Sequence, residues 1–164
     1  QRGWSAVRRA SKSVQQSAEA VQEEKIFVVG GASHNEEDGG ETSDEHVLKT
    51  AELLDPLNGH WEALPDNFRR ADHAGAVLCG YVYVCGGSGN LARNVVRFNP
   101  ARWRWESVSP MTKRRPHAAA AIAHHCLYVC GGEDGDNVWR CTERFDSAQG
   151  RMSRDSWEAM PLMH

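Results

Sequence analysis

The sequence predicts an all-β chain built from three consecutive units, each made of short strands and tight turns. Gly-Gly pairs close three strand-like apolar runs, at residues 26–31, 82–87 and 127–132. From a tryptophan to the first glycine of the next pair, the distance is 26, 25 and 26 residues in the three units. The chain also contains 15 glycines but only six prolines, a composition that favours short strands and tight turns. Three copies of one β-unit are therefore expected to cover nearly the whole chain.

Each unit is predicted to begin with a β-hairpin. A second apolar run precedes each of the three runs above, around residues 18–21, 74–78 and 118–123, and a short polar or turn-forming pair separates the two. By propensity alone the alanines at 118–121 would favour a helix. Their place in the repeat predicts a strand instead. Further downstream, each unit has a turn followed by a Trp-Glu pair, which begins at Trp61, Trp105 and Trp157.

Composition excludes several classes of protein. Of the 164 residues, 40% are apolar and 25% are charged, which excludes a wholly disordered chain. The longest apolar stretch, residues 74–87, covers 14 positions, and a membrane-spanning helix needs ~18. A net charge of −3 does not favour a dedicated nucleic-acid binder. We therefore expect neither a membrane nor a nucleic acid as partner.

Cysteine usage indicates the compartment. There are five cysteines, an odd number, with no Cys-x-x-Cys pair, no signal segment and no Asn-x-Ser/Thr site. This pattern predicts reduced thiols in a cytoplasmic setting, with a nuclear one as the alternative. Because the chain opens with Gln1 rather than methionine, we expect it to be a piece of a longer protein.

The repeated unit resembles the kelch repeat. Its features are an opening arginine, a small-residue strand, Tyr/Phe-x-x-Gly-Gly, an aromatic-Asp-Pro turn and a tryptophan, and they recur in register from residue 4 to residue 161. The first unit departs from the pattern at Val14 and Leu54, which replace the arginine and the aromatic residue. The resemblance implies a kelch-type β-propeller, here a partial one of about three four-stranded antiparallel blades, since kelch propellers most often have six.

The resemblance also sets the expected boundaries. Residues 1–16 are assigned to the last strand of a preceding blade plus a linker, and the three repeats to residues 17–65, 73–110 and 117–161. The first repeat carries an acidic loop, 34–49, in which the run 36–45 has a charge of −6 and leaves +3 on the rest of the chain. This loop is expected to be solvated and dispensable for folding. Open faces on the end blades predict self-association.

No catalytic motif is present, and the chain is expected not to be an enzyme. Ser88 lies among glycines that the repeat already explains. Some kelch-like propellers are copper oxidases with tyrosine and histidine ligands, but Tyr81, Tyr83 and Tyr128 all fall on predicted strands. A copper-oxidase-like propeller is therefore the least favoured function, and no cofactor is expected.

A zinc site is the remaining metal alternative. His124, His125, Cys126 and Cys130 carry suitable ligand atoms within seven residues. However, the histidines fall on a predicted hairpin turn and Cys130 on a strand, where the first repeat has Val29. Small buried thiols are the favoured interpretation, so no metal ligands are assigned.

Basic residues precede the inner strands of the second and third units. The pair Arg69-Arg70 and the run at residues 113–115 lie 45 residues apart, the same spacing as the Gly-Gly pairs. In kelch substrate adaptors, arginines at this place line one mouth of the propeller and receive acidic peptides. The alternative, a structural arginine in a solvated turn, is equally compatible with the pattern. The predicted partner-binding residues are Arg69, Arg70, Arg115, Ser88, Asn90, Asp134 and Asn137.

The resemblance therefore implies a protein–protein interaction module. The first hypothesis is the substrate-recognition part of a cullin-type ubiquitin-ligase adaptor, with a protein or acidic peptide bound on the propeller rim. The alternative is a cytoskeletal, for instance actin-associated, or scaffold kelch protein. The sequence does not distinguish between these partners, because propeller loops diverge independently of the scaffold.

Overall fold

A computed structural model describes residues 6–9, 25–32, 47–67, 69–147 and 156–163, of which residues 6–9 are described by their backbone alone. Within these ranges the structure contains three four-stranded antiparallel sheets and one two-stranded hairpin. No helix in the same ranges is both long and apolar enough to cross a lipid bilayer. The predicted all-β fold of four-stranded propeller blades is therefore confirmed.

The three sheets, called blades 1 to 3, follow one another along the chain. Blade 1 consists of β1 (Ala6–Arg9), β2 (Lys25–Val29), β3 (Ala51–Asp55) and β4 (His60–Ala63). Blade 2 consists of β5 (His73–Leu78), β6 (Tyr81–Gly86), β7 (Val95–Asn99) and β8 (Arg104–Val108). Blade 3 begins with β9 (Ala119–Ala123) and β10 (Cys126–Cys130). After a hairpin of β11 (Glu133–Asp134) and β12 (Asn137–Val138), it is completed by β13 (Thr142–Asp146) and β14 (Trp157–Ala159).

Blade 2 is buried on both faces, one against each neighbouring blade. Successive side chains of its strands point to opposite faces. Val82 and Val84 of β6 belong to the hydrophobic cluster shared with blade 1, and Tyr83 belongs to the cluster shared with blade 3. Each cluster is centred on an aromatic pair. The ring centroids of Phe27 and Phe98 lie 6.3 Å apart, and the Tyr83 and Phe145 centroids lie 5.9 Å apart.

The inner strands of the blades lie side by side. Strand β5 contacts both β1 of blade 1 and β9 of blade 3. Small side chains suit this crowded position, and Ala74 and Ala76 of β5 are buried there. In blade 3 the alanine-rich run forms β9, as its place in the repeat predicts and its helix propensity does not.

The repeated tryptophans join consecutive blades. Trp105 on β8 donates its indole N–H to the carbonyl of Pro65, at the end of blade 1, over 2.9 Å. Trp157 on β14 donates to the carbonyl of Ser109, at the end of blade 2, over 2.8 Å. Each outer strand is therefore hydrogen-bonded to the segment that leaves the preceding blade. At these two positions the repeated tryptophans therefore lie between consecutive blades.

Blade 1 differs from the expected boundaries. The sequence predicts its inner strand around residues 18–21, with residues 1–16 as the last strand of a preceding blade plus a linker. In the structure, β1 pairs with β2 in antiparallel register, with Ala6 opposite Val28 and Arg9 opposite Lys25. Residues 18–21 lie outside the described ranges, as does most of the acidic loop. The two sides of that loop meet in an isolated bridge between Ala32 and Val47.

The up-and-down order of the strands divides the connections between two edges of the structure. One edge, here called the loop rim, holds the segments between blades and the connections between the second and third strands of each blade. In blades 2 and 3 the described residues of these segments are 64–67, 69–72, 87–94, 109–118 and 131–141. The opposite edge, here called the turn rim, holds the hairpin turns at residues 56–59, 79–80, 100–103 and 124–125. Residues that are distant in sequence therefore share a rim.

Blade 3 has one face that the described residues leave uncovered. Ala121 and Tyr128 pair across β9 and β10, as Ala76 and Tyr83 do across β5 and β6. In blade 2 these two residues are buried, and Tyr83 is only 1% exposed. In blade 3, Ala121 is exposed and Tyr128 is half-buried. The apolar face predicted for an end blade is thus present on blade 3.

Replacement of these two tyrosines should therefore have unequal effects. Tyr83→Ala removes a ring packed against Phe145 and should lower the free energy of unfolding by about 3 kcal/mol. Tyr128→Ala should lower it by less than about 1 kcal/mol, because Tyr128 lacks a covering blade. Denaturant unfolding at low protein concentration measures both. Equal losses would contradict the prediction and would indicate that a second copy covers blade 3.

Candidate functional site

All seven predicted contact residues lie on the loop rim. Arg69 and Arg70 precede blade 2, Arg115 precedes blade 3, and the other four lie in the connections that follow the Gly-Gly pairs. These four are Ser88, Asn90, Asp134 and Asn137. The structure therefore brings the seven to one edge but divides them by burial. Arg70 and Arg115 are inside, whereas Arg69 and Asn90 are exposed.

Arg115 is a structural residue and is not available to a partner. Its side chain is 0% exposed and its Nε donates to Oε1 of Glu143 at 2.9 Å. Its Nη1 donates to the carbonyls of Gly131 and Cys141, at 2.6 and 2.9 Å. The guanidinium thus ties the segment entering blade 3 to two connected strands of that blade. The expectation that Arg115 anchors an acidic peptide is corrected, because its donors are used inside the fold.

Arg70 occupies the equivalent place in blade 2 and is 1% exposed. Its Nη1 donates to the carbonyl of Gly86, as Arg115 does to Gly131. Its Nη2 donates to Oδ1 of Asn94 at 2.6 Å. Burial removes water from the guanidinium and lowers the pKa of Arg70 to about 10, so the group remains charged at neutral pH. The expected binding role is corrected here for the same reason as for Arg115.

The two arginines differ in their counter-ion. Gly86 N–H donates to the carbonyl of Asn94, and Gly131 N–H donates to that of Cys141, so these two acceptors are equivalent. Two residues further on, blade 2 has Val96 where blade 3 has Glu143. Correspondingly, Nε of Arg70 is buried without a hydrogen-bond partner in the described part of the chain. Blade 3 therefore has an ion pair at a position where blade 2 has only neutral acceptors.

Glu143 also holds the loop that leads into blade 3. Its carboxylate accepts the backbone N–H of Thr112 at 2.7 Å and that of Lys113 at 3.2 Å, in addition to the Arg115 guanidinium. Burial by itself raises the pKa of Glu143, but the hydrogen bonds from Thr112 and the charge of Arg115 outweigh it. The pKa of Glu143 is therefore lowered from its ordinary value.

The first glycine of the first two pairs lets the next blade approach. Gly86 has a φ of +70°, and a Cβ placed on it would lie 2.7 Å from the backbone carbonyl oxygen of Arg115. Gly30 stands in the same relation to the carbonyl oxygen of Arg70, which also accepts the N–H of Gly31 at 2.9 Å. A side chain at either position would separate the blades. Glycine at these two positions therefore permits a close backbone approach between consecutive blades.

Arg114 is the exposed arginine that connects two loops of the rim. Its Nη2 donates to the carbonyl of Gly89 in the blade 2 loop at 3.0 Å. Its Nε lies 3.1 Å from Oδ1 of Asp134 in the blade 3 hairpin, and both side chains are substantially exposed. The sequence pattern predicts a binding role for Arg115 and none for Arg114. The residue pattern does not separate Arg114 from Arg115, since the equivalent pair Arg69-Arg70 has the same residue types.

Trp139 supports the rim beside Arg114. Its indole N–H donates to the carbonyl of Arg114 at 2.9 Å. The ammonium of Lys113 lies 3.9 Å from the centre of its ring, within the range of a cation–π interaction. Trp139 does not belong to the Trp-Glu series, so the repeat pattern gave no reason to select it. On the other side, Arg69 donates to the carbonyl of Val47 at 3.0 Å and borders the acidic loop.

The residues considered for zinc do not assemble. His124 and His125 form the turn between β9 and β10, whereas Cys130 lies at the far end of β10. Among the described residues, no group of three or more His, Cys, Asp or Glu side chains is arranged to hold a metal ion. All five cysteines are free, and Cys85, Cys126 and Cys141 are buried.

Loss of Arg115 should destabilise the chain far more than loss of its neighbour. Arg115→Ala leaves the Glu143 carboxylate buried without its cation, which should cost about 3–5 kcal/mol of unfolding free energy. Arg114→Ala removes only exposed contacts and should cost less than about 1 kcal/mol. Thermal and denaturant melts of both variants measure the difference. Similar, small losses in both would contradict the structural role of Arg115.

The lowered pKa of Glu143 predicts an acid-sensitive contribution to stability. Ionised Glu143 stabilises the fold above its unfolded-state pKa of about 4.3, and this contribution is lost as the pH falls through the folded-state pKa. Glu143→Gln should therefore lower stability at pH 7 and reduce its decline between about pH 5 and pH 2. The control is Glu62→Gln, at an exposed position on β4. An unchanged acid profile in Glu143→Gln would contradict the prediction.

Comparisons with known proteins agree with the repeat geometry. The family model described as the Kelch motif matches residues 69–112. The chain is 32% identical over 126 residues to Kelch-like protein 24 of Homo sapiens, covering 76% of this chain and 20% of that protein. It is 33% identical over 120 residues to Kelch-like protein 36 of Rattus norvegicus, covering 65% of this chain and 19% of that protein.

A solved structure shares the fold. It is titled "Structure of YjhT" and superimposes with a TM-score of 0.66 at 16% identity, covering 85% of this chain and 49% of that one. At this identity the similarity concerns the fold alone. The chain spans about a fifth of the length of the curated relatives it matches, 19% and 20% for the two named above. With repeats, interblade contacts and relatives in agreement, the chain belongs to the kelch-repeat family.

Proposed function

We propose that this chain binds a partner polypeptide on its loop rim, as part of a kelch protein-interaction module. The observation that carries the proposal is the position of Arg114. Its guanidinium contacts the blade 2 loop at Gly89 and the blade 3 hairpin at Asp134, so it joins two loops into one polar surface. Such a surface, held by rigid blades, is where interaction proteins of this architecture vary their specificity.

The partner is expected to present an acidic side chain to Arg114. Nε and Nη2 of Arg114 have acceptors within the chain, whereas Nη1 has none among the described residues. A carboxylate at this place would complete the planar set of donors, which arginine presents in fixed geometry. Asn90 and Asn137 lie in the same two loops and are exposed.

The rim is not uniformly basic, which limits the kind of partner. Asp134 and Glu133 lie on the blade 3 hairpin, while Lys113 and Arg114 lie on the segment that leads into that blade. With Arg70 and Arg115 buried, the exposed charges are mixed. A folded partner or a segment with an acidic anchor and neighbouring polar groups therefore fits better than a run of acidic residues alone.

We further propose that the protein containing this chain is a substrate-recognition subunit of a cullin-type ubiquitin-ligase adaptor. The proposal rests on the kelch repeats and on the similarity to Kelch-like proteins, of which the chain spans about a fifth. In that role the loop rim would hold the substrate, and other parts of the longer protein would contact the ligase. A cytoplasmic setting is proposed with it.

Affinity purification of the full-length protein tests both statements. The wild type should co-purify a cullin together with a defined set of partners. Arg114→Ala should retain the cullin and weaken binding of at least one rim partner by about tenfold, as expected for loss of a charge-assisted contact. Arg144→Ala, a partly exposed arginine on β13 and outside both rims, is the control and should retain those partners.

Two outcomes would contradict the proposal. Recovery of the same partners with unchanged affinity in Arg114→Ala would exclude the rim site. Recovery of actin filaments without a cullin would exclude the adaptor role while leaving an interaction module of a different kind. A melting temperature equal to that of the wild type confirms that each variant is folded.

A further inference from the structure

The turn rim of blade 2 contains a tryptophan in an unusual backbone conformation. Trp103 precedes β8 in the turn at residues 100–103 and has a φ of +51°. In blade 1 the equivalent residue, one before the outer strand, is Gly59 with a φ of +71°. The strand registers establish the equivalence, because Asp55 pairs with His60 as Asn99 pairs with Arg104.

This conformation disfavours a large side chain. In the left-handed region Cβ approaches the following carbonyl, and glycine is the residue that avoids the contact. Blade 1 has glycine at this turn position, whereas blade 2 has the largest side chain available. Residues held in such conformations are concentrated at ligand-binding sites, where the surrounding fold maintains them. The strained backbone at Trp103 therefore favours a binding role for its side chain.

The indole of Trp103 is fixed in position but remains accessible. Its ring packs edge-on against Phe98, with centroids 5.4 Å apart and planes at 75°. Despite this contact, Trp103 is 41% exposed. Trp105 donates its indole N–H to a backbone carbonyl, whereas in the described part of the chain the indole N–H of Trp103 has no acceptor. A held aromatic ring with an unused donor is a suitable anchor for a partner.

Positive charge surrounds this anchor. Arg102 and Arg104, on either side of Trp103, have side chains that are 65% and 59% exposed. Both lie near the same oxygen of Glu106, at 3.6 and 3.5 Å. Glu106 is already paired with Arg97, whose Nε donates to its other oxygen at 3.1 Å. Three guanidinium groups thus share one carboxylate, and the two exposed ones leave an excess of positive charge beside the indole.

We propose that Arg102, Trp103 and Arg104 form a second interaction surface, on the turn rim, that binds an acidic segment of a partner protein. An apolar side chain of that segment packs on the indole of Trp103, and its carboxylates pair with the two arginines. Charge complementarity selects this occupant, because the cluster has more guanidinium groups than carboxylates. The surface lies on the edge opposite Arg114, so it is independent of the proposed loop-rim site.

A fluorescence-anisotropy titration tests this proposal with the whole chain. The probe is a fluorescein-labelled peptide with the sequence Asp-Glu-Asp-Phe-Glu-Asp-Glu. Trp103→Gly introduces the residue that suits the turn and should weaken binding by at least about tenfold while the melting temperature changes little. The double variant Arg102→Ala/Arg104→Ala should weaken binding similarly and reduce its dependence on salt concentration.

Matched controls separate the two rims and the two parts of the peptide. Arg114→Ala should leave binding of this peptide unchanged, and so should Leu57→Ala, at an exposed position in the corresponding turn of blade 1. A peptide with serine in place of phenylalanine should bind more weakly than the probe. Loss of binding in Arg114→Ala alone would overturn the turn-rim proposal and locate the acidic segment on the loop rim.

Two further results would overturn the proposal. Unchanged binding in Trp103→Gly, with loss in the arginine double variant, would reduce the site to general charge attraction. Unchanged binding in Trp103→Gly with a markedly lower melting temperature would mean that the indole serves only to cover Phe98. Failure of the wild type to bind the probe at millimolar concentration would exclude the surface altogether.

Discussion

The contact between the blades depends on an arginine that precedes the inner strand. Its guanidinium binds carbonyl groups of the blade that it enters, as Arg115 does at Gly131 and Cys141. Its own backbone carbonyl lies against the first glycine of the blade before, as that of Arg115 does against Gly86. One residue therefore connects two blades, with its side chain on one and its main chain on the other. The aromatic pairs and the tryptophan hydrogen bonds require the spacing that this contact maintains.

The buried guanidinium has different hydrogen-bond acceptors in blade 2 and in blade 3. Blade 3 supplies Glu143, which pairs with Arg115 and also accepts two backbone N–H groups of the entering loop. Blade 2 has Val96 instead, and Arg70 is held by neutral carbonyl and amide oxygens. A buried charge is tolerated only where such acceptors satisfy it. Because these acceptors are present, Arg70 and Arg115, which the sequence suggests as surface binding residues, are buried instead.

The two proposed binding surfaces consist of residues that remain exposed after the blades pack. On the loop rim, Arg114 lies beside the structural Arg115 but faces the neighbouring loops, where it contacts Gly89 and Asp134. On the turn rim, Trp103 stands where a turn requires no large side chain and is exposed. On the turn rim the repeats differ, since blade 1 has Gly59 where blade 2 has Trp103, whereas on the loop rim Arg114 and the equivalent Arg69 differ only in their contacts. Variation at such positions changes what a propeller binds without changing how its blades pack.

The sequence by itself determined the repeat, the strand order within blades 2 and 3 and the small-residue inner strands, because these follow from local periodicity and from spacing that recurs in register. It also placed all seven candidate residues in loops that the topology brings to one rim. Only the tertiary structure decided that Arg70 and Arg115 are buried while Arg114 is exposed, since burial depends on the neighbouring blade rather than on the residue's own segment. The tertiary structure also decided that β1 pairs with β2, because local sequence pattern does not show how far apart in the sequence two paired strands lie. Sequence spacing identifies equivalent positions, whereas the side chain's partners, which lie 16 to 28 residues away for Arg115, determine what each position does.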